Sequence, residues 1–104
     1  MTRHYLTIHG HFYQPPREDP RTGRIQREPD AAPFHDFNEK ILAECYRPNA
    51  ELGNFDWMSF DIGPTLGEWM RRDHPDVLRR IAAADRDAVA RTGVGNAIMQ
   101  SFHH

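Results

Sequence analysis

Two β-prone runs that lie far apart in the chain constrain the fold most. In Arg3–His9 and again in Trp57–Gly63, apolar and polar residues alternate with the period of two that a strand requires. A long loop and a helical segment separate the two runs, so they cannot form a tight hairpin. Strands joined by connections of this length are normally parallel neighbours with right-handed crossovers. The sequence therefore predicts an α/β fold built on a parallel sheet.

The alternation assigns the side chains of each run to two faces. In the first run, Leu6 and Ile8 share one face, and we expect them to pack against helices. The opposite face of this run carries polar or ring-bearing residues, namely Tyr5, Thr7, His9 and His11. The second run divides in the same way, with Met58, Phe60 and Ile62 on one face and Trp57, Ser59 and Asp61 on the other.

The segment 12–33 is a predicted proline-rich loop. It contains five prolines and almost no aliphatic residue apart from Ile25, so we expect it to supply no core element. Loops of this length are usually functional or mobile. Low hydrophobicity alone also explains a solvated excursion. The sequence leaves both interpretations open.

Capping patterns and helical spacing predict three helices. Asp36–Glu39 forms a capping box that opens the first helix, which should end before Pro48. A second capping box, Thr65–Glu68, opens a short helix, and Asp73–Asp76 begins a longer one that stops at Gly93. The residues expected to be buried are Phe37, Ile41, Leu42 and Cys45, then Leu66, Trp69 and Met70, and finally Val77, Leu78, Ile81, Ala82, Ala88 and Val89.

The length of the chain limits how much of an α/β fold it can form. The 104 residues make one domain at most. Ala97–Met99 predicts the start of a third strand. A closed α/β barrel needs about 250 residues, so residues 1–104 fit the opening portion of a doubly wound sheet or of a barrel that is incomplete in this chain.

Charge and hydropathy exclude several classes of partner. Thirteen basic and 15 acidic residues give a formal charge of -2, which offers no electrostatic footprint for nucleic acid or an anionic membrane surface. No apolar stretch approaches membrane length, and the first residues lack the apolar core of a signal peptide. We therefore expect a soluble, cytoplasmic protein in which the lone Cys45 is a buried free thiol.

His9 and His11 are the first candidates for chemistry. They lie two positions apart near the end of a strand, so they point to the same side, and a barrel carries its active site at the carboxyl ends of its strands. The plain alternative is that both imidazoles bond only to neighbouring backbone groups. A further alternative is a metal-dependent hydrolase, in which the two histidines bind one divalent ion and Asp61 is a third ligand. No second ligand cluster is visible in the sequence.

A family resemblance covers nearly the whole chain. The segment His9–Pro16, with the sequence HGHFYQPP, resembles the first signature region of glycoside hydrolase family 57, whose core pattern is His-x-His-Gln-Pro after strand one. Further segments resemble one bacterial branch of that family in matching order: Asn38–Glu39, Ala43–Tyr46, Pro48–Asn49, Ser59–Phe60, Gly63–Leu66 and Gly95–Ile98.

The resemblance implies a retaining enzyme that acts on α-linked glucans. It implies the N-terminal portion of an incomplete barrel of seven strands, (β/α)7, with no obligatory cofactor, and the family includes amylases, glucanotransferases and branching enzymes. By the same resemblance His11 lines the subsite next to the scissile bond, with Gln14 and His9 nearby, and His104 matches the histidine of the second signature region. The family's nucleophilic Glu and acid/base Asp lie on later strands, so we assign no catalytic residue.

One departure from the family pattern concerns Gln14. Phe12 and Tyr13 separate it from the second histidine, whereas the family pattern has glutamine directly after that histidine. The two inserted aromatic residues either stack on a sugar ring or fill space under the loop. We interpret Glu44 and Asp61 as surface or capping carboxylates, because such groups are rarely buried without a partner.

A third alternative is a nonenzymatic sugar-binding fragment. Three parallel strands alone leave an unpaired edge and a half-covered apolar face. We therefore expect the isolated 104-residue chain to be poorly stable or to self-associate unless the rest of a barrel completes it. Gel filtration and thermal unfolding test this prediction, and a monomer that melts cooperatively would contradict it.

Overall fold

The computed structural model describes residues 1–101, and its elements alternate between strand and helix as predicted. The regular elements are β1 (His9–Phe12), α1 (Phe37–Ile41), a π-helical turn (Leu42–Tyr46), α2 (Arg47–Glu51), β2 (Ser59–Ile62), α3 (Pro64–Asp73) and α4 (Pro75–Thr92). β1 and β2 pair in parallel, with His9 opposite Ser59 and Phe12 opposite Ile62. The mixed α/β class with a parallel sheet is therefore confirmed.

β1 lies further along the chain than the sequence pattern predicted. Arg3–His9 was the expected strand, but the ladder runs from His9 to Phe12. Leu6 and Ile8, which we expected to pack against helices, are 87% and 57% exposed. The reason is the position of the partner, because β2 begins only at Ser59, whose N–H donates to the Ile8 carbonyl. His9 and His11 do share one face of the strand, as predicted. The residues before Ile8 have no strand beside them, because they lie beyond the N-terminal end of β2.

The third predicted strand is present as a short parallel pairing beside β2. The Phe60 N–H donates to the Asn96 carbonyl and the Ile98 N–H donates to the Phe60 carbonyl, both at 2.9 Å. Successive residues of a strand direct their backbone N–H and C=O groups to opposite edges of that strand. The N–H groups of Ser59 and Gly63 donate to carbonyls on the β1 side of β2, those of Ile8 and Phe12. The segment around Ala97 therefore lies on the other side of β2, and the spatial order follows the chain order.

Asp85 anchors this third segment to α4. Its Oδ1 accepts hydrogen bonds from the backbone N–H groups of Asn96 and Ala97, at 2.7 and 2.8 Å. The Asn96 side-chain amide in turn donates to the carbonyls of Phe55 and Asp56. Gly95 is required at this turn, since a Cβ there would lie 2.4 Å from Asp85 Oδ1.

The first helical segment continues past Pro48, contrary to prediction. Asp36 caps it as expected, because its carboxylate accepts the Glu39 N–H at 3.0 Å. Proline inside a helix collides with the carbonyl four residues before it. Here the turn before Pro48 is widened, and the Arg47 N–H donates to the Leu42 carbonyl, five residues back. The π-helical turn thus accommodates the proline, and the helix ends at Glu51.

The predicted capping boxes are only partly correct. Glu39 does not reach back to Asp36, and both of its oxygens lie 2.8–2.9 Å from His74 Nε2. The cap of α3 lies two residues earlier than expected, at Gly63 in place of Thr65, and Pro64 is in the first turn. The Thr65 hydroxyl donates to the Gln14 carbonyl and does not cap the helix. Proline at a helix start is favoured because its fixed φ suits the first turn and no amide donor is needed there.

The core lies between the sheet and the helices and is rich in aromatic side chains. Its largest fully buried residues include Trp69, Phe55, Leu66, Met70 and Val77. Along α4, the stripe prediction is correct for Val77, Ile81 and Ala88 and wrong for Ala82 and Val89, which are exposed, while buried Ala84 was missed. Cys45 is a free thiol as predicted but is only half-buried.

The loop 12–33 contributes more to the core than its composition predicted. Phe12 belongs to β1 and packs against the core, Ala31 is fully buried, and Glu18 and Ile25 form an isolated antiparallel bridge. Arg17 connects the loop to the start of α1 by donating to Glu28 and Asn38 side chains at 3.1 and 2.9 Å. Arg17 therefore adds polar contacts to the few apolar contacts that the loop makes.

Two glycine substitutions test the third segment. We expect Gly95→Ala to destabilise the protein by about 2 kcal/mol. The methyl group would displace the Asp85 carboxylate, which accepts hydrogen bonds from the backbone N–H groups of Asn96 and Ala97. Gly67→Ala is the matched control, since its Cβ would meet only Ile62 at 3.8 Å, and alanine in a helix interior should stabilise by about 1 kcal/mol. Urea unfolding measures both, and equal effects of the two substitutions would contradict this account.

Candidate functional site

The candidate site is the polar face of the two parallel strands, formed by His9 and His11 on β1 and by Ser59 and Asp61 on β2. The register sets His9 opposite Ser59 and His11 opposite Asp61. His11 Nδ1 lies 2.5 Å from Asp61 Oδ1, and His9 Nε2 lies 3.3 Å from Asp61 Oδ2. His9 Nδ1 is 2.9 Å from the Ser59 hydroxyl. We call these four residues the histidine face.

The opposite side of β1 holds the histidine face in place. Phe12 packs edge-on against Tyr46, with 5.7 Å between ring centroids, and at a tilt of 52° against Phe55, with 5.3 Å between centroids. Gly10 must be small, because a Cβ there would lie 2.6 Å from the Phe12 ring. Since alternate residues of a strand face opposite ways, burying Phe12 in this aromatic cluster directs His9 and His11 outward.

Asp61 is the residue that the sequence interpretation misjudged. We took it for a surface or capping carboxylate, but it is only 8% exposed and lies between the two imidazoles. Ser59, which interacts with His9, was also not assigned to the site. The alternation along β2 already grouped Ser59 and Asp61 on one polar face. In a parallel pair this face lies on the same side of the sheet as the face that carries the histidines. The missing information was the register.

The two inserted aromatic residues have different roles. Phe12 fills space in the core, as one of the two interpretations of these residues held. Tyr13 is half-buried, and its ring lies nearly parallel to the His11 ring, with an interplanar angle of 7° and 6.4 Å between centroids. Gly63 allows this placement, since a Cβ there would lie 3.1 Å from Tyr13 Cδ2. Tyr13 therefore borders the histidine face.

Gln14 is a buried residue of the proline-rich loop, and its side-chain amide makes hydrogen bonds to other side chains of the protein. It is 5% exposed, its Nε2 donates to the Tyr46 hydroxyl at 2.8 Å, and its Oε1 accepts from Arg17 at 2.9 Å. A direct contact between Gln14 and a substrate stays a prediction. In the arrangement described, Gln14 connects the proline-rich loop to the helical layer.

The remaining site predictions lie elsewhere. His104 falls outside the described residues, so its role as a binding residue stays a prediction. Glu44 is exposed on the π-helical turn, as a surface carboxylate should be. Within residues 1–101, no group of three or more His, Cys, Asp or Glu side chains is arranged to hold a metal ion. The short distances from Asp61 to the histidines are those of hydrogen bonds.

The comparisons with known proteins give no relative from which to transfer a role. No family model, curated protein or solved structure matches the chain. Across the part of the chain that the structure describes, no helix is both long and apolar enough to cross a membrane.

The Tyr46 hydroxyl, which supports Gln14, gives a pH-dependent test. Burial raises the pKa of Tyr46, against a smaller lowering by the Gln14 hydrogen bond. Because the folded state favours the neutral phenol, this contribution to stability is complete below pH of about 10, where an unfolded tyrosine ionises, and is lost as the pH rises through the folded pKa. Tyrosinate absorbance against pH should show a late-ionising tyrosine that Tyr46→Phe removes. If Tyr46→Phe instead removed a tyrosine that ionises at the ordinary pH of about 10, this pKa assignment would be wrong.

Proposed function

We propose that the chain supplies part of the substrate site of a retaining glycoside hydrolase or transglycosylase that acts on α-linked glucans. The observation that carries the proposal is the histidine face, in which two imidazoles, a hydroxyl and a buried carboxylate converge from adjacent parallel strands. Side chains of this kind bond sugar hydroxyl groups without requiring a charged substrate. Tyr13 borders the face with an aromatic ring, on which the apolar face of a sugar can lie.

The position of the face along the strands supports a barrel enzyme. β1 ends at Phe12 and β2 at Ile62, so His11 and Asp61 are the last residues but one of their strands. Barrel enzymes carry their substrate sites at this carboxyl edge. The spatial order of β1, β2 and the segment around Ala97 follows the chain order, as successive strands of a barrel do. We propose that this sheet is the opening portion of the (β/α)7 barrel implied by the resemblance to glycoside hydrolase family 57.

The division of roles within this enzyme follows from the chemistry of retention. Retaining hydrolysis needs two carboxyl groups about 5–5.5 Å apart, one as nucleophile and one as acid and then base. Asp61 is bonded to both histidines, so we assign it no bond-breaking role. The proposal assigns those two groups to later barrel strands, while His9, His11, Gln14 and His104 belong to the substrate subsites. It includes a cytoplasmic location and no cofactor.

Binding of maltooligosaccharides tests the proposal directly. We expect the chain to bind maltotriose or a longer oligomer, and His11→Ala to weaken that binding by roughly tenfold, because one hydrogen bond is worth about 1 kcal/mol or slightly more. His4→Ala is the matched control, since His4 is exposed in the segment before β1. Calorimetric titration measures both variants.

Metal analysis separates this proposal from the metal-dependent hydrolase. A stoichiometric divalent ion in the purified chain that is lost on His9→Ala would support the metal enzyme and contradict the glucan proposal. Sugar binding by the chain without any bond cleavage would fit a subsite lacking its carboxylates. A chain that binds no maltooligosaccharide would remove the proposal.

A further inference from the structure

The N-terminal arm, residues 1–8, is a strand-forming segment that has no strand beside it. All eight residues are exposed, including Tyr5 at 84%, Leu6 at 87% and Ile8 at 57%. The Ile8 carbonyl accepts from Ser59, but in the part of the chain that the structure describes no hydrogen bond holds residues 1–7. A β-prone segment with open backbone groups is a template for pairing with another chain.

The outer edge of β1, on the side away from β2, is where such a chain can pair. Successive residues of a strand direct their backbone groups to opposite edges. The carbonyls of Ile8 and Phe12 accept hydrogen bonds from the β2 side. The N–H and C=O groups of Tyr5, Thr7 and His9 therefore belong to the outer edge. Among residues 1–101, the sheet has no further strand at this edge.

The sequence of the arm fits one antiparallel register with a second copy of itself. Residues that lie directly opposite each other in an antiparallel pair share a face of the sheet. With Thr7 on a two-fold axis, Leu6 of each copy lies opposite Ile8 of the other, so two apolar pairs form. Moving the axis to Leu6 would set Ile8 opposite His4, and moving it to Ile8 would set Leu6 opposite Gly10. Either shift loses apolar contact.

The backbone groups agree with the same register. The pairs that must exchange hydrogen bonds are Thr7 with its own copy and Tyr5 with His9 on either side of the axis. These are the residues whose N–H and C=O groups face the outer edge. Each hydrogen-bonded pair exchanges two bonds, so the three pairs form about six across the axis.

We infer that the N-terminal arms of two copies of this chain pair in antiparallel orientation about a two-fold axis at Thr7, which joins their sheets edge to edge. A second copy fits because each pair that forms on one side of the axis forms again on the other. Leu6, Thr7 and Ile8 are uncharged, so no like charges meet at the axis. Residues 3–9 span about 23 Å as a strand, which gives a short interface that dissociates on dilution.

The pairing adds a residue to the histidine face. Tyr5 of the partner subunit lies directly across from His9, with about 5.5 Å between Cα atoms, and its side chain is on the same face of the sheet. An aromatic ring at this position offers a surface on which the apolar face of a sugar can lie. This step rests on the proposed function, whereas the pairing of the arms does not.

Sedimentation of the 104-residue chain over a range of concentrations tests the pairing. We expect a monomer–dimer equilibrium, and Leu6→Ser should weaken it by roughly a hundredfold, because each dimer loses two buried leucine side chains. Leu52→Ser is the matched control, since Leu52 is 76% exposed just after α2, and it should leave the dissociation constant unchanged. A chain that stays monomeric at millimolar concentration, or a dimer that Leu6→Ser leaves intact, would overturn the inference.

Cysteine substitution tests the register. The Cα atoms of a hydrogen-bonded antiparallel pair lie about 5.5 Å apart, which a disulfide can bridge. In a Cys45→Ala background, Thr7→Cys should therefore form a disulfide-linked dimer on mild oxidation. Thr2→Cys is the control, because its two copies would lie about 34 Å apart along the paired arms. Equally rapid cross-linking of the two variants would overturn the antiparallel register and with it the inference.

Titration with maltotriose distinguishes failure of the inference from failure of the proposed function. Leu6→Ser keeps the four residues of the histidine face but removes Tyr5 of the partner subunit, so we expect it to bind maltotriose severalfold more weakly than the dimer. Cross-linking at Thr7→Cys without any binding of maltotriose would support the pairing and contradict the glucan proposal. Equal binding by the dimer and by Leu6→Ser would overturn the contribution of Tyr5.

Discussion

The register of β1 against β2 is the constraint on which the rest of the structure depends. Because side chains alternate along a strand, a slip by one residue would turn His11 into the core and expose Phe12. Packing of Phe12 against Phe55 and Tyr46 opposes such a slip, since it would remove an aromatic ring from the interior. The same contacts that stabilise the core therefore align Asp61 with the histidines.

Several features could be predicted from the sequence because local patterns determine them. The period of two indicated β2 and the face shared by His9 and His11, and Gly93 ends α4 with the positive φ of 87° that glycine tolerates. Strand ends were less accurate, since they depend on where a partner begins. The burial of Asp61 could not be predicted, because it follows from a pairing between residues fifty positions apart.

The proline-rich loop shows how polar contacts can replace an aliphatic core. Arg17 donates to side chains from the loop and from the start of α1, and its guanidinium lies 5.7 Å from the centre of the Phe37 ring. Gln14 extends this network to Tyr46. Composition alone predicts no such order, because the number of apolar residues does not show how many hydrogen bonds a single half-buried arginine donates. The cohesion of the loop therefore depends on few residues.

The anchoring of Asn96 and Ala97 by Asp85 has a kinetic consequence. These partners are 11 and 12 residues apart, so the segment beside β2 can dock on α4 through a short loop. The pairing of β1 with β2 closes a loop of about fifty residues, and contacts that distant in sequence slow folding because the entropy of closure must be overcome first. The histidine face exists only where β1 and β2 are paired, so it forms only after this long loop has closed.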